Sequence, residues 1–473
     1  MTMTEVAARP TKRFFVEMLT RDIELEDAIL DLLDNCIDGI LRVAASRDDL
    51  NPRKPYEGFK ADIVAKPAEF TIIDNCGGIP QQVAVESAFM FGRPDERDAN
   101  LKTVGMYGIG MKRAIFKMGR SATVTSQPPG RPFQVAITEE WITDDNDWSL
   151  ELAPAADTLP ANGTAVHISS LHRAVSREFD STQSGFLSRL QRTIARLYSL
   201  IIRKGFEVTL NGNTIEPIDF RLMTDERSLD TPIIRPYLFK AHYGAVEVEL
   251  AVGFYRPLPT EEELDNEAES PRASSHQAGW TVICNDRVVL YGDRSLVTGW
   301  GRATVPRFHN QFMAIAGVVV FESTDSLALP LNTTKRGLDT SSDVYLRVLD
   351  YMQEGTQVFT SFTNRWKARE NETYSAFKAA GPRPFRDVGS TVPDDAWTEV
   401  RRVKMTGGEA FRFTPNLPKP EDRVPCHRIT FTRTEEAIRT VAVHFFDDPS
   451  TPPKDVGARA FDEALMAAGG EIG

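Results

Sequence analysis

Residues 24–43 read ELEDAILDLLDNCIDGILRV. Apolar residues recur in this stretch at steps of three and four, the spacing of one helix face: Leu25, Ile29, Leu32, Leu33, Ile37 and Ile40. The other face is acidic and carries Asp27, Asp31, Asp34, Asn35 and Asp38. The pattern predicts an amphipathic helix whose acidic face is turned away from the core.

Within this helix, Asp31 and Asn35 are four residues apart and therefore share one face. A carboxamide oxygen can ligate Mg²⁺, and a carboxylate one turn away can orient or deprotonate a water molecule. The pair fits a metal–nucleotide site. Taken by itself it also fits a solvated acidic face, which is the commoner role of such residues.

Asp74 follows a short β-prone run, Glu69–Ile73, and precedes the glycine-containing stretch NCGGI at residues 75–79. A carboxylate at the end of a strand can accept a hydrogen bond from an adenine amino group. Glycines behind it let the backbone approach the ring closely. A plain strand-to-turn connection would have the same sequence.

A glycine-rich stretch, GMYGIG at residues 105–110, precedes a predicted helix that begins at Met111. Glycines supply turns with positive φ, and free N–H groups at a helix N-terminus bind phosphate. The stretch is not a dinucleotide-binding fingerprint, because no strand ends directly before it. It also lacks the Gly-Lys-Ser/Thr that closes a P-loop. Many unrelated loops contain a similar pattern.

In this order the three motifs resemble the nucleotide-binding boxes of the GHKL ATPases. That superfamily includes gyrase B subunits, Hsp-type chaperones, histidine kinases, and MutL- and MORC-type proteins. Residues 31–35 resemble its N box, residues 74–78 its first glycine box and residues 105–110 its second glycine box. A fourth motif, Gly163-Thr164-Ala165-Val166, is similar to the strand whose threonine supports the adenine-binding aspartate. The resemblance implies an N-terminal Bergerat-fold ATPase domain in a MutL- or MORC-like member.

The resemblance extends into a strand-rich second region that opens with a predicted hairpin at Asn211-Gly212. Residues 329–338, LPLNTTKRGL, are similar to the lysine loop of the transducer domain in gyrase B and MutL-type proteins. In those proteins the lysine contacts the γ-phosphate of ATP. The matching residue here is Lys335, with a surface lysine in a turn as the alternative. Histidine kinases lack a transducer, so this domain order disfavours that branch.

The resemblance implies a site for ATP and Mg²⁺. Asp31 is the expected general base, Lys335 the expected γ-phosphate contact and Asn35 the expected metal ligand. The other expected nucleotide contacts are Asp74, Gly78, Ile79, Lys102, Gly105, Gly108, Ile109, Gly110, Met111, Lys112 and Thr164. Residues 95–103 are expected to form a lid, and residues 1–23 a strap across the partner in an ATP-dependent homodimer.

Two residues depart from the family pattern. Members with a transducer usually carry Glu where this chain has Asp31, whose carboxylate ends one methylene shorter. Because a misplaced general base loses much of its effect, we expect slow ATP hydrolysis. Cys76 stands where the family usually has the first glycine of its box, and cysteine is small enough to fit.

The expected fold class is α+β: a Bergerat-fold α/β sandwich, a transducer-like β-rich domain and a small C-terminal region. The predicted parts are an ATPase domain (1–175), a connecting helix (176–205), a transducer-like domain (206–345), a helix (346–378), a Pro/Gly-rich linker (379–425) and a small C-terminal unit (426–473).

The composition is that of a globular protein in a reducing compartment. Of 473 residues, 41% are hydrophobic and 26% charged, and the four cysteines form no C-x-x-C pair. No apolar run reaches the roughly 18 residues of a membrane span. Residues 1–10 do not read as a secretory signal, so a cytoplasmic location without membrane contact is expected. A net charge of −12 disfavours a surface that is basic throughout but allows a local basic groove.

Three hypotheses remain for what a nucleotide-gated dimeric clamp would act on. A DNA clamp, for repair or defence, is suggested by basic and aromatic residues near the C-terminus, although a charged linker has the same composition: Arg383, Arg386, Arg401, Arg402, Lys404, Phe411, Arg412 and Phe413. A chaperone-like or signalling module would instead bind protein through the C-terminal unit. An ATP sensor would bind nucleotide and barely hydrolyse it.

Overall fold

The computed structural model describes residues 11–44, 51–90, 109–156, 159, 162–264, 276–332, 337–367, 369–400, 408–420, 429–430 and 432–469. The chain divides into two compact units, residues 1–420 and residues 421–473. The larger unit contains sheets of eight, seven and two strands with their helices, and the described part of the smaller unit contains two helices. The expected α+β class is confirmed.

The first sheet has eight strands in the spatial order β5-β4-β3-β6-β2-β1-β7-β8. Their bounds are β1 Lys60–Lys66, β2 Glu69–Asp74, β3 Gly119–Gln127, β4 Phe133–Ile137, β5 Leu152–Pro154, β6 Gly163–Leu171, β7 Glu207–Leu210 and β8 Asn213–Thr214. Neighbouring strands are antiparallel except β1 and β7, which are parallel. The Asn211-Gly212 hairpin forms as predicted, with positive φ at both residues. It extends this first sheet, however, and not the second region to which the sequence assigned it.

The first region also contains helices. They are α1 Lys12–Arg21, α2 Leu25–Ala44, α3 Gln81–Val83, α4 Gly110–Met118, α5 Glu139–Thr143, α6 Arg173–Glu178, α7 Phe186–Leu197 and α8 Ser199–Arg203. Alternate residues of β1, namely Ala61, Ile63 and Ala65, are buried in one core with the apolar stripe of α2. The predicted amphipathic helix is therefore confirmed, and it lies with its apolar stripe in the core.

Two acidic residues of α2 are buried where the sequence pattern predicted exposure to solvent. Asp34 and Asp38 are buried, although helical spacing alone placed them on the solvated face. Asp34 has two partners from other elements. One is the hydroxyl of Tyr198, which lies between α7 and α8, and the other is the guanidinium of Arg287 at the start of β13. A charged side chain is buried only when it is paired. A pattern read within one helix cannot reveal a partner from another region.

The second sheet has seven strands in the order β13-β12-β14-β11-β10-β17-β16, and β9 pairs separately with β15. Their bounds are β9 Arg221–Thr224, β10 Tyr237–Tyr243, β11 Val246–Phe254, β12 Gly279–Cys284, β13 Arg287–Asp293, β14 Ile315–Glu322, β15 Gly381–Pro384, β16 Thr398–Glu399 and β17 Glu409–Phe413. The helices of this part are α9 Asp343–Trp366, α10 Glu370–Phe377 and α11 Phe385–Val388. Helix α9 packs across β10, β11 and β14. This β-rich arrangement was expected from the sequence.

Residues 379–425, predicted as a linker, contain β15, β16 and β17. Strand β17 joins the second sheet beside β10, and its Ala410 and Phe413 are buried. Proline and glycine content suggested a linker because both residues interrupt regular structure. A short strand needs only a neighbouring strand with free backbone groups, which composition does not show.

In residues 421–473, α12 (Glu435–Phe446) and α13 (Pro453–Ala467) pack as a helical hairpin. Ala442 and Val456 are its buried residues among those described. In the described part of the chain, no helix is both long and apolar enough to cross a membrane.

Candidate functional site

Helix α2 presents the two residues of the N box toward the same side. The Asn35 side chain is exposed, and Asp31, one turn earlier, is partly buried. The opposite face of this turn is anchored in the core through Leu32 and Leu33. The helix therefore holds a carboxylate and a carboxamide beside each other on a rigid element, as the sequence predicted.

Asp31 contacts the start of α4. Its Oδ2 accepts hydrogen bonds from Arg113 Nε at 3.0 Å and Arg113 Nη2 at 2.5 Å, and both side chains are largely shielded from solvent. Gly110, the first residue of α4, allows this approach, because a Cβ at position 110 would lie 3.3 Å from Asp31 Cβ. The sequence did not single out Arg113. Its position four residues after Ile109, one turn into the helix that follows the second glycine box, was the available signal.

Asp74 lies at the end of β2, where three groups fix its carboxylate. Oδ1 accepts hydrogen bonds from the backbone N–H groups of Cys76 at 2.7 Å and Thr164 at 3.2 Å, and Oδ2 accepts one from Cys36 Sγ at 3.6 Å. Burial raises the pKa of Asp74, and the two N–H groups oppose that rise because they stabilise the carboxylate. Asp74 and Thr164, which are 90 residues apart, are therefore brought together.

Cys36 and Asn75 support the site, although the sequence pattern indicated no role for either. Cys36 follows Asn35 directly, and its contact with Cys76 and its burial raise the pKa of its thiol well above the usual range. Asn75 ties the first glycine box to β1: its Oδ1 accepts from Lys60 N–H at 2.6 Å, and its Nδ2 donates to Gly58 O at 2.8 Å. Their positions beside Asn35 and Asp74 were the only signal for either.

Gly78 and Ile79 lie where the first glycine box meets β3. Gly78 has φ +71°, and a Cβ there would lie 2.8 Å from Gln127 O, so glycine is required. The Ile79 N–H donates to Ser126 Oγ at 2.7 Å, and Ser126 Oγ in turn donates to Ile79 O at 3.1 Å. The first glycine box is thus held against β3.

Ile109, Gly110 and Met111 form the beginning of α4, as predicted. Lys112 is only 2% exposed, and its Nζ donates to Ala88 O at 2.8 Å. Burial lowers the pKa of Lys112 to about 8. In this structure its ammonium group thus contacts the backbone of the segment that precedes the predicted lid.

Several predicted residues lie outside the described part of the chain: Lys102, Gly105, Gly108, the lid at residues 95–103, and Lys335. Of the predicted N-terminal strap, the described part forms α1 and packs on its own chain. The Lys12 backbone N–H donates to Asp145 Oδ1 at 2.7 Å, and its Nζ donates to Trp141 O at 2.6 Å.

The predicted basic patch near the C-terminus is described only in part, since Arg401, Arg402 and Lys404 fall outside the described residues. Arg386 pairs with Glu322 at 2.9 Å, Arg412 pairs with Glu354 at 2.7 Å, and Arg383 pairs with Glu226. Phe413 is buried in the second sheet. The described arginines are therefore engaged with carboxylates of their own chain.

The donor set fits a magnesium ion that arrives with a nucleotide. No cluster of three or more His, Cys, Asp or Glu side chains that could hold a metal occurs within the described ranges. Magnesium in nucleotide sites is held by one or two protein groups together with phosphate oxygens and waters. The exposed carboxamide of Asn35 suits that requirement.

Residues 23–165 match a family model described as "Histidine kinase-, DNA gyrase B-, and HSP90-like ATPase". The matched range contains α2, the first glycine box, the start of α4 and Thr164, and it supports both the GHKL resemblance and ATP binding by this part of the chain. No curated protein matches the chain. The assignment to a MutL- or MORC-like branch stays a prediction.

Proposed function

We propose that residues 23–165 bind ATP with Mg²⁺ and that the protein hydrolyses it slowly. The observation that carries the proposal is that α2 contacts both ends of the candidate site. Cys36 Sγ lies 3.6 Å from Asp74 Oδ2, and Asp31 Oδ2 lies 2.5 Å from Arg113 Nη2 in α4. A purine at Asp74 and phosphates at the start of α4 would therefore lie along α2, with Asn35 between them.

The roles follow from the chemistry of each group. Asp74 accepts a hydrogen bond from the adenine amino group, and the N-terminus of α4 offers backbone N–H groups and its positive dipole end to phosphate. Asn35 ligates Mg²⁺, which when bound neutralises charge on the phosphates. Asp31 orients the attacking water and accepts its proton. Lys335 is proposed to reach the γ-phosphate from the second region.

We expect ATP hydrolysis to be slow for two reasons. The Asp31 side chain is shorter than the glutamate usual in the family, and its Oδ2 is engaged by Arg113. Both features restrict delivery of a base to the γ-phosphate. A nucleotide-gated dimeric clamp therefore resides mostly in its ATP-bound state, which also suits the second candidate function, an ATP sensor.

Calorimetry tests the nucleotide site. Wild-type protein should bind ATP with Mg²⁺, and Asp74→Asn should weaken ATP affinity by about tenfold or more, because an amide N–H₂ would face the adenine N–H₂. The matched control is Asp230→Asn, which removes one exposed-loop carboxylate of the second region. Circular dichroism should show that both variants keep the fold.

A wild-type protein that is folded and gives no binding heat with MgATP would end the proposal. Equal affinity in wild type and Asp74→Asn would refute the adenine role alone. A salt-dependent shift of DNA by the ATP-bound protein would favour a DNA client over a protein client.

A further inference from the structure

The turn between β12 and β13 of the second region is buried. Its residues Asn285, Asp286 and Arg287 are all less than 10% exposed, although hairpin turns usually lie on the surface. Asn285 and Asp286 have positive φ, as a tight hairpin turn requires. The turn therefore lies in the protein interior, and two of its residues, Asp286 and Arg287, are charged.

Arg287 contacts the N-box helix. Its Nε donates to Asp34 Oδ1 at 3.0 Å, and its guanidinium lies 4.5 Å from the centre of the Tyr198 ring. The Tyr198 hydroxyl lies 2.6 Å from Asp34 Oδ1 and 2.9 Å from Leu30 O. Burial alone would lower the pKa of Arg287, but Asp34 outweighs it and the pKa is raised. The Arg287 guanidinium thus stays charged in a buried cluster.

This cluster holds the turn of α2 that presents the site. Asp34 lies between Asp31 and Asn35 in the chain, and Leu30 belongs to the same turn. These contacts therefore hold the backbone of residues 30–35 from the flank of the helix beside the face that carries Asp31 and Asn35. A shift of Arg287 would be passed to the positions of Asn35 and Asp31, because a helix turn moves as a unit.

The turn is also fixed to its own sheet. Asn285 Nδ2 donates to Ser323 O at 3.0 Å, and Asn285 Oδ1 accepts from Ser323 N–H at 2.9 Å. Asp286 accepts from Lys204 Nζ at 2.7 Å and from the Tyr56 hydroxyl at 3.1 Å. The Asn285 bonds hold the turn to the second sheet, and the Asp286 bonds tie it to Tyr56 and Lys204 of the first region, so Arg287 is not a side chain on a loose loop.

We propose that Arg287 is a positioning residue of the nucleotide site: it acts through Asp34 to hold Asn35 where Mg²⁺ is ligated. The inference rests on the proposed function and adds a link from the second region to the site that does not involve Lys335. Replacing an outer-shell residue that orients a metal ligand typically changes the metal affinity 10–100-fold.

The test compares ATP affinity with Mg²⁺ and with EDTA, by calorimetry, in full-length variants. The ratio of the two affinities reports the metal contact, whereas affinity in EDTA reports adenine and phosphate contacts that Arg287 does not touch. Arg287→Met should lower this ratio about tenfold or more. Lys204→Met is the matched control, because it removes an ion pair of the same turn without touching Asp34, and its ratio should stay at the wild-type value.

A second variant separates positioning from folding. Arg287→Met leaves Asp34 with a buried charge and should lower the melting temperature. Asp34→Asn combined with Arg287→Met removes both charges and should regain most of the melting temperature while the affinity ratio stays low. A general folding defect would instead recover both quantities together.

Three results would overturn the proposal. One is a wild-type ratio in Arg287→Met; another is an equal fall in Lys204→Met; the third is recovery of the ratio in the double variant. In each of these cases ATP still binds and the proposed function stands. Absence of ATP binding by the wild type is a different result, which removes the proposed function and this inference together.

Discussion

At the scale of single residues, Asp31 combines two features that bear on catalysis. Its Oδ2 accepts hydrogen bonds from two nitrogen atoms of Arg113, which orient the carboxylate. The same ion pair occupies Oδ2, the oxygen that would otherwise be available to accept the proton of an attacking water. The slow hydrolysis that we propose is therefore favoured by the observed contact as well as by the short side chain.

Replacing the carboxylate separates these features. Asp31→Asn should lower ATP turnover by about 100-fold or more, because the general base is lost, while affinity for MgATP changes little. Arg113→Met is the control: it breaks the same ion pair and keeps the carboxylate, so its turnover should stay within about tenfold of wild type. Phosphate-release assays measure both. Equal losses in the two variants would mean that turnover requires the Asp31–Arg113 ion pair, and would contradict the role of Asp31 as the general base.

Lys112 makes stability depend on pH. Its pKa is about 8 in the folded protein against 10.5 for the free side chain, so the unfolded chain binds more protons between these values. The free energy of unfolding should therefore rise with pH across that window. Below pH 8 the full destabilisation caused by burying the Lys112 ammonium group is present. At pH 7, Lys112→Met should be more stable by about 2 kcal/mol, after allowing for its lost hydrogen bond.

Urea unfolding at pH 7 and pH 10 checks this expectation. The difference in free energy of unfolding between Lys112→Met and wild type should shrink at the higher pH. Lys117→Met, in the same helix, serves as the control. A difference that stays constant with pH would show that the Lys112 ammonium group is not penalised by burial.

At the scale of elements, β6 and β2 meet at Asp74, the residue that we propose contacts adenine. A Cβ at Gly163, the first residue of β6, would lie 1.8 Å from Asp74 O. The strand could accept it only by moving away from Asp74, which would also withdraw the Thr164 N–H. Close packing at this point therefore sets the geometry of the carboxylate that is proposed to bind adenine.

Gly163→Ala should consequently lower both stability and ATP affinity. We expect a loss of about 3 kcal/mol in the free energy of unfolding from overpacking, and at least the tenfold weaker ATP binding expected for Asp74→Asn. Gly389→Ala is the control, because a Cβ there meets nothing within 4 Å. Urea unfolding and calorimetry give the two quantities. If Gly163→Ala kept the wild-type unfolding free energy and ATP affinity, the close approach of β6 to β2 would not be needed for either.

Local patterns predicted the elements that carry the site. The apolar stripe of α2, the strand before Asp74 and the helix after Gly110 all follow from residue spacing over a few turns, and all three form. Cys36 and Asn75 were not recognised, because their roles depend on neighbours in β2 and β1. Spacing identifies which face of an element is buried but not what the buried face contacts.

At the scale of the whole molecule, contacts between distant parts of the chain could not be predicted. The pairing of β7 with β1 places residues 207–210 in the first sheet, and β17 joins the second sheet from a segment that reads as a linker. The buried Asp34 looked like one more residue of an acidic face. Each case depends on a partner far away in sequence, which composition and periodicity do not encode.

The contact between Asp34 and Arg287 also bears on how the protein is made. The two residues are 253 positions apart, so at roughly 5–20 residues per second a ribosome needs roughly 10–50 s between them. The N-terminal sheet of a nascent chain therefore cannot complete its native surroundings until the β12–β13 turn has left the exit tunnel. During that interval Asp34 lacks its Arg287 partner, so the turn of α2 that carries Asn35 is held by its other contacts alone.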